Sequence, residues 1–219
     1  MVHPNNPTGN FVKPLEMAAL NQLCSEQQMA IIADEVFLDF SLQQKRAAGF
    51  CANAGAITFT MSGLSKIAGL PQMKLAWLIA SGPEQEKREA LDRLEIIADT
   101  YLSMNAPVQL ATPALLSQRY SFQQQLMARV RTNLAEFDRQ IAGQKHCARL
   151  EVEGGWYAVL RIPATRSDED LALDLLERQG VYVHPGHFYD FSQDGYLIVS
   201  LITPHEFAEG TRRLLSCFG

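Results

Sequence analysis

The stretch MAIIADEVF, residues 29–37, decides how this chain folds. It is a short apolar run that ends in two acids. Such a run reads as a β-strand buried on both faces. An acid at the C-terminal end of a buried strand stands where open α/β sheets place their ligands, and here that acid is Asp34. Alternation along the strand points Glu35 the other way, which makes it the weaker candidate.

Working outward, AITFTMS (56–62) and KLAWLIAS (74–81) read as two further strands of the same buried kind. Before them, residues 14–28 carry apolar positions at helical spacing, with Pro14 suited to a first turn. After them the spacing predicts helices over about 83–103, 107–118 and 121–143, the last without an internal Gly or Pro. Beyond Gly143 the texture changes. CARLEVE, WYAVLRIP, VYVHPG and GYLIVSLIT read as strands. SDEDLALDLLERQG reads as a helix capped by Ser167 and stopped by Gly180, and PHEFAEGTRRLL as a closing helix with Pro204 near its start. The fold class is therefore α/β, with a second, smaller α+β unit at the C-terminal end. The boundary is expected near residue 120, giving 1–120 and 121–219, with the long helix as the join.

The totals narrow the function. The chain has 219 residues, 47% hydrophobic and 20% charged, the balance of an ordinary globular protein with room for a core. A net charge of −5 with no block of Lys or Arg argues against a nucleic-acid surface. Cys24, Cys51, Cys147 and Cys217 lie far apart with no CxxC pair. No HxxxH or HExxH spacing occurs, so no metal site is expected. No run approaches the ~18 apolar residues of a membrane span, and no signal-peptide pattern opens the chain. These features fit a reduced, cytoplasmic protein with buried thiols. Trp77 and Trp156 read as core aromatics.

Two more segments carry chemistry. His3-Pro4-Asn5-Asn6-Pro7-Thr8-Gly9 is a rigid turn, and the proline after Asn6 fixes the direction of that side chain. Ser62-Gly63-Leu64-Ser65-Lys66 sets a lysine between apolar segments. A desolvated amine there is the better nucleophile towards an aldehyde, and the small residues before it leave room for a cofactor.

Together the three segments resemble the class I/II aminotransferases, fold-type I enzymes that use pyridoxal 5'-phosphate (PLP). That family has an NPNNPTG-like turn, an acid in a D-E-x-Y/F stretch, and an S-x-S-K-like lysine segment. Here Asp34 lies 28 residues after Asn6, and Lys66 lies 32 after Asp34, in the family's order and spacing. GGWYAVLRIP, VYVHPGHF and GYLIVSL resemble its small C-terminal domain. The resemblance implies part of the PLP-transferase large-domain sheet with flanking helices, followed by the small domain. It implies that Lys66 forms the Schiff base with PLP and moves the proton at the substrate Cα. Asp34 would pair with the pyridinium nitrogen, and Asn6 would bond the phenolic oxygen. Ser65 or Ser62, with Lys74, would hold the phosphate. The reaction implied moves an amino group from an amino acid or amine to a keto acid. The segment Tyr101–Pro107 resembles one that reaches a second subunit in relatives, which implies a homodimer.

The sequence departs from the family at several positions. Phe37 stands where most members have Tyr, and Lys74 where most have Arg, so a point charge replaces a two-pronged fork. Gly63 stands where a serine is usual, leaving Ser62 to serve from a shifted position. Ile198 replaces the Arg that holds a substrate carboxylate in relatives. Arg161, Lys74 and His187 are candidate stand-ins, and the residues that bind substrate stay unassigned. The family's N-terminal part, about two fifths of a full member, has no counterpart, so the chain is expected to be a fragment with exposed sheet edges. Two alternatives stay open: a PLP-dependent lyase or decarboxylase of the same fold, and a non-catalytic aminotransferase-like module.

Overall fold

A computed structural model describes residues 1–44 and 47–218. The chain divides into two compact units. The first comprises Met1–Pro4 and Phe11–Gln124, and the second comprises Asn5–Asn10 and everything from Gln125 onward.

The first unit opens with helix α1, Pro14–Glu26. Pro14 costs nothing at the first helical position, where its missing N–H would have had no partner. The Glu16 carboxylate accepts from the Lys13 backbone N–H at 2.7 Å, half of a capping box. The helix ends two residues short of the expected Gln28, because Gln28 adopts a left-handed φ of 51° that no α-helix continues through.

Strand β1 (Ile31–Asp34) pairs in parallel with β2 (Thr58–Gly63), in a register that sets Ile31 opposite Thr58 and Asp34 opposite Met61. Val2 makes a parallel bridge on the far side of Asp34. A single-turn helix α2 (Leu64–Ile67) and a 3-10 turn (Pro71–Met73) lead to β3 (Ala76–Ser81), antiparallel to β2. Helices α3 (Glu84–Asp99) and α4 (Ala106–Ser117) follow. Helix α5 (Arg119–Ile141) starts in this unit and continues in the next.

Ile31 and Ala33 enter a core with Cys24, Phe50 and Ala56, against which Val12, Met17 and Leu20 pack. The opposite face of the sheet is open: Ile32 is 54% exposed and Leu78, on β3, 43%. The expectation that β1 and β3 are buried on both faces is therefore not met. Helix α1 and the 50–56 segment cover one side only, and among the described residues α3 and α4 bury no side chain that could cover the other.

The second unit is a four-stranded antiparallel sheet in the order β4-β5-β7-β6, formed by β4 (Ala148–Arg149), β5 (Tyr157–Arg161), β6 (His184–Pro185) and β7 (Tyr196–Ser200). VYVHPG, expected as a strand, pairs over only two residues, since Pro185 has no N–H to extend the ladder. Helix α6 (Asp168–Asp174) widens into a π turn over Leu175–Gln179 and stops at Gly180, φ 63°. Ser167 Oγ accepts from the Asp170 N–H at 3.1 Å and caps its start. The last helix, α7, runs from Phe207 to Ser216, so Pro204 lies outside it. The Phe137 and Phe207 rings meet edge-on at 6.2 Å, joining α5 to α7. The buried Asp168 carboxylate accepts from the Gly195 N–H at 2.7 Å and the Tyr196 N–H at 3.1 Å, fastening α6 to the start of β7.

His3 is fully buried in the first unit, edge-on to the Phe11 and Phe50 rings at 5.3 and 5.2 Å. Its Nδ1 accepts from the Val12 N–H at 3.1 Å, so the proton sits on Nε2, which donates to the Ala48 carbonyl at 3.0 Å. The Ala48 bond survives protonation, whereas the Val12 bond needs the neutral ring. Burial pushes its pKa below the usual 6.5, and the charge of Lys13 lowers it further, while the Ala48 bond partly offsets both. The ring is neutral in both folded and unfolded chain at alkaline pH. As pH falls below 6.5, the unfolded chain takes up a proton first and folding stability is lost. Urea midpoints should therefore fall between pH 7.5 and roughly pH 5. In His3→Gln the midpoint at pH 7.5 is lower but the acid slope flatter. Parallel slopes in the two proteins would remove His3 as the cause.

Candidate active site

Lys66 sits in the one-turn helix α2, directly after β2. The turn forms because Leu64, fully buried, anchors it and donates its N–H to the Leu75 carbonyl at 3.0 Å. The Lys66 Nζ lies 6.0 Å from the centre of the Phe37 ring. Phe37 is itself buried and meets Phe40 edge-on at 6.4 Å.

Asp34 ends β1, and its backbone is tied on both sides. Its N–H donates to the Met1 carbonyl at 2.9 Å, and its carbonyl accepts from the His3 N–H at 2.8 Å. The Oδ1 atom accepts from the Val36 N–H at 3.1 Å, a local turn that fixes the carboxylate. Glu35 has another task. It is buried, and its Oε1 accepts from the Phe50 N–H at 2.5 Å. A Cβ on Gly49 would come within 2.9 Å of both Glu35 carboxylate oxygens. Glu35 thus staples the 49–50 segment to the end of β1.

The remaining candidates are placed unevenly. Ser65 is half-buried beside Lys66. Ser62 alternates with Met61, the partner of Asp34, so Ser62 lies on the face of β2 away from Asp34. Its Oγ is buried with no hydrogen-bond partner among the described residues. Lys74 is exposed and holds a left-handed φ of 52° at the end of the 3-10 turn. Asn6 belongs to the second unit. There the turn is closed by the Gly9 N–H donating to the Asn5 carbonyl at 2.8 Å, and by Thr8 Oγ donating to Asn5 Oδ1 at 2.8 Å. Gly9 is required, since a Cβ would come within 2.4 Å of the Gly154 carbonyl oxygen. The Asn6 Oδ1 atom is buried without a partner among the described residues, a polar group free to bond a ligand.

Ile198 is 2% exposed in the second unit, paired across β7 with Val159 and His184. Arg161 and His187 are exposed, and His187 lies edge-on to Phe188 at 4.9 Å. Neither is assigned to a substrate by its surroundings.

Sequence reading missed one residue that grips this site. Gln123 Nε2, on α5, donates to Asp39 Oδ2 at 3.1 Å and to the Ile67 carbonyl at 3.0 Å. Nothing local marks it, because its partner Asp39 is 84 residues away in sequence.

An amine, an acid and a buried aromatic thus gather where two adjacent strands end. The chain matches the aminotransferase class I and II family over residues 1–214, and it belongs to that family. It is 25% identical, over 98% of its length, to the glutamate-pyruvate aminotransferase AlaA of Haemophilus influenzae, and covers 55% of that protein. The fold of an alanine aminotransferase from Pyrococcus furiosus superposes with a TM-score of 0.84 at 22% identity, over all of this chain and 56% of the other. A PLP-dependent aminotransferase from Streptococcus suis superposes at 0.80 and 21% identity, over 100% and 57%. The chain therefore spans about half the length of the proteins it matches. Its fold is that of part of a fold-type I domain.

Gly63 illustrates how tightly the site is built. A Cβ there would sit 2.8 Å from the Leu75 carbonyl oxygen and 3.0 Å from Ala76 Cα, both backbone atoms of the chain entering β3. Gly63→Ser, which restores the residue usual in the family, should therefore cost about 1–3 kcal/mol in chemical denaturation. A neutral or stabilising result would mean that the start of β3 is free to move.

Proposed function

We propose that this chain carries the lysine half of a PLP-dependent aminotransferase site, acting on an amino acid or amine and a keto acid. The observation that carries the reading is the approach of the Lys66 amine to the Phe37 ring at 6.0 Å, just past the strand end where Asp34 stands. An amine beside a buried ring, next to an anchored carboxylate, suits an aldehyde-bearing heteroaromatic cofactor.

Bound PLP would supply the aldehyde and an electron-withdrawing pyridinium ring. The chain's own residues then divide the work. Asp34 would hold the proton on the ring nitrogen, its carboxylate already oriented by the Val36 N–H. Lys66 would hold the cofactor through its Nζ, and that amine is the group proposed to carry the proton at the substrate Cα. The family resemblance gives the phenolic oxygen to Asn6, whose Nδ2 would be the donor. Ser65 and Lys74 are the donors proposed for the phosphate, with Ser62 behind them on the opposite face of β2. Phe37 excludes water but donates nothing, unlike a tyrosine. The assembly is proposed to be a cytoplasmic homodimer, the dimer reading supported by the exposed Tyr101 and Leu102 in the segment that resembles one reaching a second subunit in relatives.

Borohydride trapping with added PLP tests the binding step. A phosphopyridoxyl mass should map to Lys66, disappear in Lys66→Ala, and fall several-fold in Asp34→Asn. An assay with glutamate and pyruvate, the pair in the name of the Haemophilus influenzae relative, tests the reaction. Labelling at Lys66 together with elimination or carbon dioxide release would favour a lyase or decarboxylase. Absence of labelling in the intact chain would leave a non-catalytic module.

A further inference from the structure

We infer that Gln123 is a positioning residue for the Lys66 amine, an inference that rests on the proposed role of Lys66. A helix of four residues has almost no stability of its own, since isolated helices below ~12 residues are marginal. The place of Lys66 is therefore set by what grips the two ends of α2. At the front, the grip is Leu64, buried and bonded to Leu75. At the back, the last carbonyl, Ile67 O, accepts from Gln123 Nε2 at 3.0 Å.

The same amide nitrogen donates its second proton to Asp39 Oδ2 at 3.1 Å. Both acceptors are oxygens that cannot donate, so the amide has one orientation. Asp39 lies five residues beyond Asp34 in the segment that also bears Phe37. One side chain on α5 thus ties the lysine turn to the segment that carries the aspartate and the ring. Its neighbour Phe122 closes the same turn: a Cβ on Gly69, φ 66°, would come within 2.6 Å of the Phe122 ring. Two consecutive residues of α5 clamp the exit of the Lys66 turn, and only Gln123 reaches across to the Asp34 segment.

The consequence is specific. Without the Gln123 amide, α2 stays attached at Leu64 but its exit loosens, and the Lys66 amine samples a wider volume relative to Asp34. The test uses the whole 219-residue chain and two variants. Gln123→Leu removes both bonds. Gln123→Glu keeps the size but offers a carboxylate where two oxygens need donors, so a folding failure of the first variant does not decide the matter. Two readouts are taken. The first is amide hydrogen exchange at Ala68, Gly69 and Leu70, whose N–H groups bond back to Leu64 and Lys66. The second is the ratio of borohydride-trapped PLP at Lys66 to that at Lys145, an exposed lysine of the second unit that has no part in the proposed site.

In both variants exchange at 68–70 should rise roughly fivefold for each hydrogen bond lost, and the Lys66:Lys145 ratio should fall at least severalfold. Faster exchange with an unchanged ratio would make Gln123 a purely structural residue and overturn the inference. Unchanged exchange would overturn it too. A wild-type chain that shows no preference for Lys66 would instead sink the aminotransferase reading, and the role of Gln123 with it. The exchange data would then still report whether the clamp exists.

Discussion

The parallel pairing of β1 with β2 is the constraint on which the rest of the first unit depends. It brings two strand ends to the same edge, Asp34 opposite Met61, and a further bond from the Glu35 N–H to the Met61 carbonyl at 2.8 Å continues the ladder past the last paired residue. A slip of one residue would turn Asp34 to the other face and bring Glu35 in its place. The register is protected against that slip on the core face, in two ways. Ile31 and Ala33 are held in the core, and the Glu35 carboxylate is already committed to the Phe50 N–H. Register, and not the identity of the acid alone, makes Asp34 the carboxylate beside the lysine turn.

Beyond the strand ends the site has little regular structure to hold it. The lysine turn is four residues long, and the Asp34–Asp39 segment is a run of turns. Such segments hold a fixed geometry only when side chains from elsewhere satisfy their backbone groups. Glu35 does so for Phe50, and Gln123 for Ile67. In the second unit Asp168 plays the same part, gathering the Gly195 and Tyr196 amides at the start of β7. A recurrent device emerges: one buried or half-buried polar side chain pins a loop where a strand begins or ends.

Much of this was legible in the sequence, and the limits have physical causes. The order of elements, and Asp34, Lys66 and the His3–Gly9 turn as marked positions, could be read because each rests on local chemistry: an acid ending an apolar run, small residues before a lysine, prolines beside asparagine. Partners were not legible. Glu35 looked like a spare acid because its acceptor role depends on Phe50, and Gln123 looked like one polar residue among many on a long helix. Burial was legible only by halves. An apolar strand such as KLAWLIAS states what it can bury, whereas the exposure of Leu78 depends on which segments actually lie over it.

The departures from the family pattern follow a common logic once packing is considered. Gly63 cannot carry a side chain without displacing the backbone that enters β3. A hydroxyl on the buried Phe37 ring would need a hydrogen-bond partner of its own. Ile198, nearly inaccessible between Val159 and His184, fills space that a guanidinium could occupy only with its charge satisfied. In each case the residue present is one that its close-packed surroundings accommodate. The register, the anchored carboxylate and the lysine turn are kept. The buried Glu35, bonded to Phe50, and the anchored Leu64 hold the frame around Lys66 in shape.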